Sequence, residues 1–160
     1  MQKYSAVAAA VIVAITVYFA LFWGYDAFRV LASPNYGFDD VWRSQYIFSI
    51  GSYFSLGPIG LIKLAAFFAT VKLAVACICA IHVADRVRCM GNGQANSEIL
   101  EAGLILVVLI SIAAVGPAAW SNSVALIREH AFQLFCAALA TALCMLERSH
   151  SSSDKAPQAS

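Results

Sequence analysis

Residues 57–84 read GPIGLIKLAAFFATVKLAVACICAIHVA. At a rise of about 1.5 Å per residue, a helix over this stretch exceeds the roughly 30 Å of a hydrocarbon core, which takes about 20 residues to cross. Pro58 suits the first turn of such a helix, where its missing N–H costs nothing. Two lysines, Lys63 and Lys72, are the only charges inside it. Three further apolar stretches have comparable character: 5–23, 99–115 (closed by Gly116 and Pro117) and 124–146. The expected fold is an all-α membrane protein, a four-transmembrane-helix bundle with an amphipathic aromatic-rich helix in its first, extracytoplasmic loop. Residues 1–148 form the single transmembrane domain. Residues 149–160, rich in Ser and Ala without an apolar period, read as a disordered cytoplasmic tail.

Composition agrees with this reading. The 160 residues are 61% hydrophobic and 12% charged, and the mean hydropathy is +0.77. Average globular domains hold about 45–50% apolar and about 25% charged residues, and a short chain has little interior in which to hide the excess. Ten Lys and Arg against nine Asp and Glu leave a net charge of +1, with no basic stripe, so a nucleic-acid partner is not expected. Five cysteines cannot all pair within one chain. Cys77, Cys79, Cys136 and Cys144 sit in apolar runs, where a cysteine acts as a small hydrophobe, and only Cys89 reads as a loop residue. The first apolar run is long for a secretory h-region and is followed by bulky and charged residues, so an uncleaved first span is expected.

Lys and Arg near the span ends set the expected orientation. With the N-terminus inside, Lys3, Arg86, Arg88, Arg148 and Lys155 fall on the inner side, and Arg29, Arg43 and Arg128 on the outer. Five against three puts both termini in the cytoplasm; the compact helices and the lack of an organelle signal make a bacterial inner (plasma) membrane the expected location. Glu98 and Glu101 fall at the start of the third span, where the helix dipole favours acids.

The first loop, 24–56, is aromatic. Eleven of the chain's nineteen aromatic residues lie between Phe22 and Phe54. Pro34 to Gly37 reads as a turn, and Asp39 or Asp40 suits the N-cap of a helix over about 39–55. Trp42, Tyr46, Ile50 and Tyr53 recur there at helical spacing. Tyr and Trp prefer the membrane–water interface, so the segment is expected to lie on the outer leaflet or dock on the bundle. Gly51, Gly57 and Gly60 mark a bend or a close helix approach. The Gly51 region lacks the glycine alternation of a carbonyl filter.

Lys72 stands out among the charges. Apolar residues flank it over 64–71 and 73–81, near the middle of the span, where a charge is costly and faces a partner or a wet cavity. Lys63, nine residues earlier, points to the opposite side and can snorkel. Aligning Arg86 with Arg148 pairs residue n of the second span with n+62 of the fourth. Lys72 then falls beside Gln133, with Glu129 one turn outward on the same face. An intramembrane polar cluster of Lys72, Glu129 and Gln133 is expected, with Lys72 and Glu129 as its ion pair. Arg128 reads as a surface anchor and His130 as a packed histidine.

Cys79, His82 and Cys144 fall at similar depth and are weak candidates for a soft metal site, but no C-x-x-C pair supports one. His82 and His130 differ by about 21 Å in depth at 1.5 Å per residue, too far to share one haem. No metal and no cofactor is expected. Neither a nucleophile–base set nor a phosphate loop is present, so an enzyme is not expected. The leading functional expectation is a non-catalytic subunit, assembly factor or scaffold of a larger membrane complex. Its partners would be the lipid bilayer and other membrane chains or further copies of itself. The alternatives are a small homo-oligomeric transporter or channel using the Lys–Glu–Gln cluster, and a membrane protein handling electrons or metal.

Overall fold

The computed structural model describes residues 2–89, 98–120 and 122–153. These form five helices and no strand: α1 (Gln2–Ala32), α2 (Val41–Tyr53), α3 (Pro58–Cys89), α4 (Glu98–Trp120) and α5 (Val124–Ser153). All but α2 are long and apolar enough to cross a membrane. The most extensive packing is α1 on α3, followed by α4 on α5, and the short α2 rests on α3, α4 and α5.

All four long helices run past the ends expected for them. α1 continues from Trp23 to Ala32. A single glycine costs a helix only about 1 kcal/mol relative to alanine, so Gly24 does not stop a segment that resumes with Ala27, Phe28, Val30 and Leu31. The extension places Asp26 and Arg29 inside the helix rather than in a loop. α4 passes through Gly116 and Pro117 to Trp120, as helices among apolar neighbours can when freed backbone groups are satisfied locally. α3 likewise reaches Cys89, so this residue ends a helix rather than sitting in a loop. α5 reaches Ser153, into the segment expected to be disordered. The Glu147 and Arg148 side chains in its last turns are tied to α3 and α4, which holds that end in helical form. Residues 154–160 lie outside the described residues.

Each of the four long helices buries one stripe at helical spacing. On α1 it is Ile12, Ile15, Thr16, Phe19, Trp23, Asp26 and Ala27; on α3 it includes Ala65, Phe68, Ala69, Lys72, Val75, Ala76, Cys79 and His82. On α4 it includes Leu104, Val107, Ser111, Ala114 and Ala118, and on α5 Leu126, His130, Gln133, Ala137, Ala140 and Cys144. The faces turned outward carry Leu21, Tyr25 and Phe28 of α1, and Phe132, Phe135 and Met145 of α5. α1 and α5 also touch through Tyr18, whose ring meets Phe132 edge-on at 5.6 Å.

The α1–α3 seam is close because Gly24 faces Ala76. A Cβ at Gly24 would lie 3.5 Å from the Ala76 Cβ, an ordinary contact. Gly24→Ala is therefore expected to be neutral or to stabilise by up to about 1 kcal/mol through helix propensity. Gly24→Leu should cost about 1–3 kcal/mol by forcing the helices apart. Unfolding in mixed detergent micelles measures both, and equal stability of the two variants would contradict the packing.

α2 does not present the expected aromatic face as one unit. Tyr46 and Ile47 are buried, Ile50 is half-buried, and Tyr53 is 78% exposed. The Trp42 side chain lies outside the described residues. Gly51 lets α2 approach α3, since an added Cβ would run into the end of Leu61. The chain then reverses through Ser55, whose φ is +52°, and the Leu56 N–H donates to the Gly51 carbonyl at 2.8 Å. Tyr53 is left outside because the reversal begins there.

Candidate functional site: a buried polar layer

Every helix contributes polar side chains to one layer inside the bundle. Lys72 is only 8% exposed, and its Nζ donates to Asp26 Oδ2 at 2.5 Å. The other Asp26 oxygen lies 3.5 Å from both Arg29 Nη2, one turn on in α1, and Arg43 Nη1 in α2. Asp40 stands at the N-cap of α2, yet its side chain makes no capping hydrogen bond. Its Oδ2 instead accepts from Arg29 Nη1 at 3.0 Å and lies 3.7 Å from Arg43 Nε. The Arg43 guanidinium also sits over the Phe22 ring, 5.6 Å from its centroid. Asp26 is thus the hub at which three cations from three helices meet.

Asp26, and not Glu129, is the residue hydrogen-bonded to Lys72. The expected ion pair joined α3 to α5; the observed one joins α3 to α1. The physical reason is the continuation of α1 beyond Gly24, which carries a carboxylate onto the buried stripe opposite Lys72. Glu129 and Gln133 do lie one turn apart, and Gln133 Nε2 donates to Glu129 Oε1 at 3.4 Å. That contact fixes the amide, because a carboxylate accepts. Gln133 Oε1 then faces Ser111 Oγ of α4 at 3.4 Å and His130 Nδ1 at 3.1 Å, accepting from both. Gln133 is 1% exposed and His130 3%.

Tyr46 of α2 joins these two groups. Lys72 Nζ lies 5.3 Å from the centroid of its ring, while the ring meets His130 edge-on at 6.4 Å and Phe68 at 5.3 Å. Packing between a cation and an aromatic face is favourable, more so away from water. The layer therefore runs from Arg29, Arg43 and Asp26 through Lys72 and Tyr46 to His130, Gln133, Glu129 and Ser111. Beside its charged end is a cavity of about 20 Å³. That is room for about one water-sized ligand.

Lys63 is exposed on the side of α3 away from Lys72, as a snorkelling lysine would be, and Arg128 is exposed near the start of α5. At the other end of the bundle Arg86 of α3 pairs with Glu147 of α5 at 2.5 Å, and Arg148 of α5 with Glu101 of α4 at 2.7 Å. Glu98 and Glu101 occupy the first turn of α4. Cys79, His82 and Cys144 are all buried, whereas Cys77 is exposed. Among the described residues no three His, Cys, Asp or Glu side chains converge as a metal-binding group.

Sequence reading missed Asp26 as a partner and Ser111 altogether. The signal for Asp26 was present: Asp26 and Arg29, spaced i and i+3, are followed by apolar residues that can prolong a helix. Ser111 gives no such signal, because a serine in an apolar run can equally bond its own helix. No family model, curated protein or solved structure matches this chain.

Proposed function

We propose that this chain is a small polytopic membrane protein acting as a non-catalytic subunit, assembly factor or scaffold of a larger membrane complex. The observation that carries the reading is how the buried charges are used: Lys72, Arg29 and Arg43 are each ion-paired with Asp26 or Asp40, across α1, α2 and α3. A charge used for transport must exchange partners with a substrate or with water. Here the ions bind helices together, and the space beside them is the size of one water. Large apolar side chains such as Leu21, Tyr25 and Phe28 remain on the outside, where lipid or another membrane chain would cover them. The Lys and Arg balance favours both termini in the cytoplasm, and the compact helices fit a bacterial inner membrane.

A transporter or channel is the second reading, because Glu129 is only half-buried and lines an open depression with Ala125, Arg128 and Phe132. That would give the Gln133 end of the layer a route to the outside. Purification of the tagged chain from native membranes in a mild detergent separates the two. The scaffold reading expects other membrane chains at fixed stoichiometry. A lone monodisperse homo-oligomer, with proton or anion flux in liposomes abolished by Glu129→Gln, would replace it with the second.

A further inference from the structure

α5 carries two pairs of adjacent opposite charges, Arg128 with Glu129 and Glu147 with Arg148. Arg128 and Arg148 are twenty residues apart, about 30 Å along a helix, which matches the thickness of a hydrocarbon core. One pair therefore stands at each edge of the apolar layer. The pairs are used differently. Glu147 and Arg148 are taken up inside the bundle by Arg86 and Glu101. Arg128 is exposed and makes no ion pair among the described residues. Glu129 is half-buried: its Oε1 receives the amide of the buried Gln133 at 3.4 Å, and it lies within electrostatic reach of Arg43 and Lys72. With Glu129 counted, the inner layer balances, Arg29, Arg43 and Lys72 against Asp26, Asp40 and Glu129, and Arg128 is a cation that layer does not answer. Arg128 and Glu129 line an open depression with Ala125 and Phe132, residues whose spacing puts them on one face of α5. Phe132 is held edge-on by Tyr18 of α1 and remains exposed, as does Phe135 one turn deeper. A cation and a carboxylate thus stand side by side at headgroup depth, with aromatic rings leading from them into the apolar layer.

We propose that this face of α5 is a docking site for one phospholipid whose headgroup carries both a phosphate and a primary ammonium, as that of phosphatidylethanolamine does. Arg128 meets the phosphate, whose oxygens suit the fork of a guanidinium. Glu129, which as a carboxylate only accepts, takes an ammonium N–H. An acyl chain lies over Phe132 and Phe135. A short carbon link separates the two charges of that headgroup, and neighbouring residues supply the two counter-charges. A quaternary ammonium has no N–H to give the carboxylate, and an anionic headgroup would bring negative charge to Glu129 with no cation of its own. A lipid seated here closes the depression that the transporter reading needs open. The site does not depend on the scaffold reading, since lipid preference and co-purification of other chains can fail separately.

The test uses the full chain, delipidated in an uncharged detergent and titrated with phosphatidylethanolamine, phosphatidylcholine or phosphatidylglycerol of identical acyl chains, with bound lipid counted by native mass spectrometry. One phosphatidylethanolamine per chain is expected to bind about tenfold more tightly than either of the others, the worth of one charge-assisted hydrogen bond. Arg128→Gln, a change at an exposed side chain, should weaken that binding about tenfold. Glu129→Gln should leave phosphate capture in place and abolish the preference for phosphatidylethanolamine over phosphatidylcholine. If Glu129→Gln fails to fold, Arg128→Gln and the three lipids on the unaltered protein still decide the outcome. Equal retention of the three lipids would overturn the proposal. An affinity unchanged in Arg128→Gln, or a preference unchanged in Glu129→Gln, would place the lipid elsewhere and overturn it too. A homodimer in lipid-free detergent that dissociates in Arg128→Gln would mean that a second copy covers this face, with the same consequence.

Discussion

Asp26→Asn is expected to destabilise the bundle by about 3–5 kcal/mol, the cost of leaving a buried charge without its partner. The variant strands Lys72 and leaves Arg29 and Arg43 with Asp40 alone. Lys72→Met should be milder, because Asp26 keeps both arginines at 3.5 Å. The double variant should lie between the two singles, since removing Lys72 also removes the charge that Asp26→Asn exposes. This ordering distinguishes Asp26 from Glu129 as the partner: Lys72→Met combined with Glu129→Gln should be close to additive, as expected for residues that share no direct bond. Reversible unfolding in mixed micelles supplies the free energies. Additive effects for Asp26 and Lys72, together with coupling between Lys72 and Glu129, would reverse the assignment.

The second large effect concerns packing. Trp23 is 1% exposed and meets Phe19 edge-on at 6.0 Å, whereas Phe28, five residues along the same helix, is 68% exposed. Trp23→Ala should cost about 3–5 kcal/mol, because it leaves a cavity between close-packed helices. Phe28→Ala should cost less than about 1 kcal/mol in a detergent that itself solvates apolar side chains. The contrast matters because both residues are large aromatics in one apolar helix, and hydropathy cannot tell them apart. Similar losses for both would mean that the Phe28 face is also covered, by a second copy or a partner. In that case the same measurement after dissociation of that chain should restore the difference.

Much of the architecture is legible because crossing an apolar layer is a local demand. A run of apolar residues long enough to span is visible in the run itself, and all four expected spans correspond to long helices. Helix ends are less legible. Gly24 and Pro117 look like stops, but a glycine costs about 1 kcal/mol, and neighbouring helices can compensate for a proline among them. The buried faces are less legible again. In a helix that is apolar on all sides, periodicity cannot say whether Leu21 or Trp23 turns inward. Tyr46 shows the same difficulty in α2: its expected face also contained Tyr53, which the reversal into α3 leaves outside.

Charge marks the boundary between the two kinds of knowledge. The scarcity of charged residues and the long apolar runs point to spanning helices, and Lys72 emerges as an ion in need of a partner, because these depend on composition and on position along one helix. Which carboxylate answers Lys72 depends on how α1 lies against α3, across a separation of 46 residues. The convergence of Tyr46, His130, Gln133 and Ser111 depends on the same packing. Burial can make a charge expensive from local sequence alone, but only the assembled bundle can bring the opposite charge to within 2.5 Å of it.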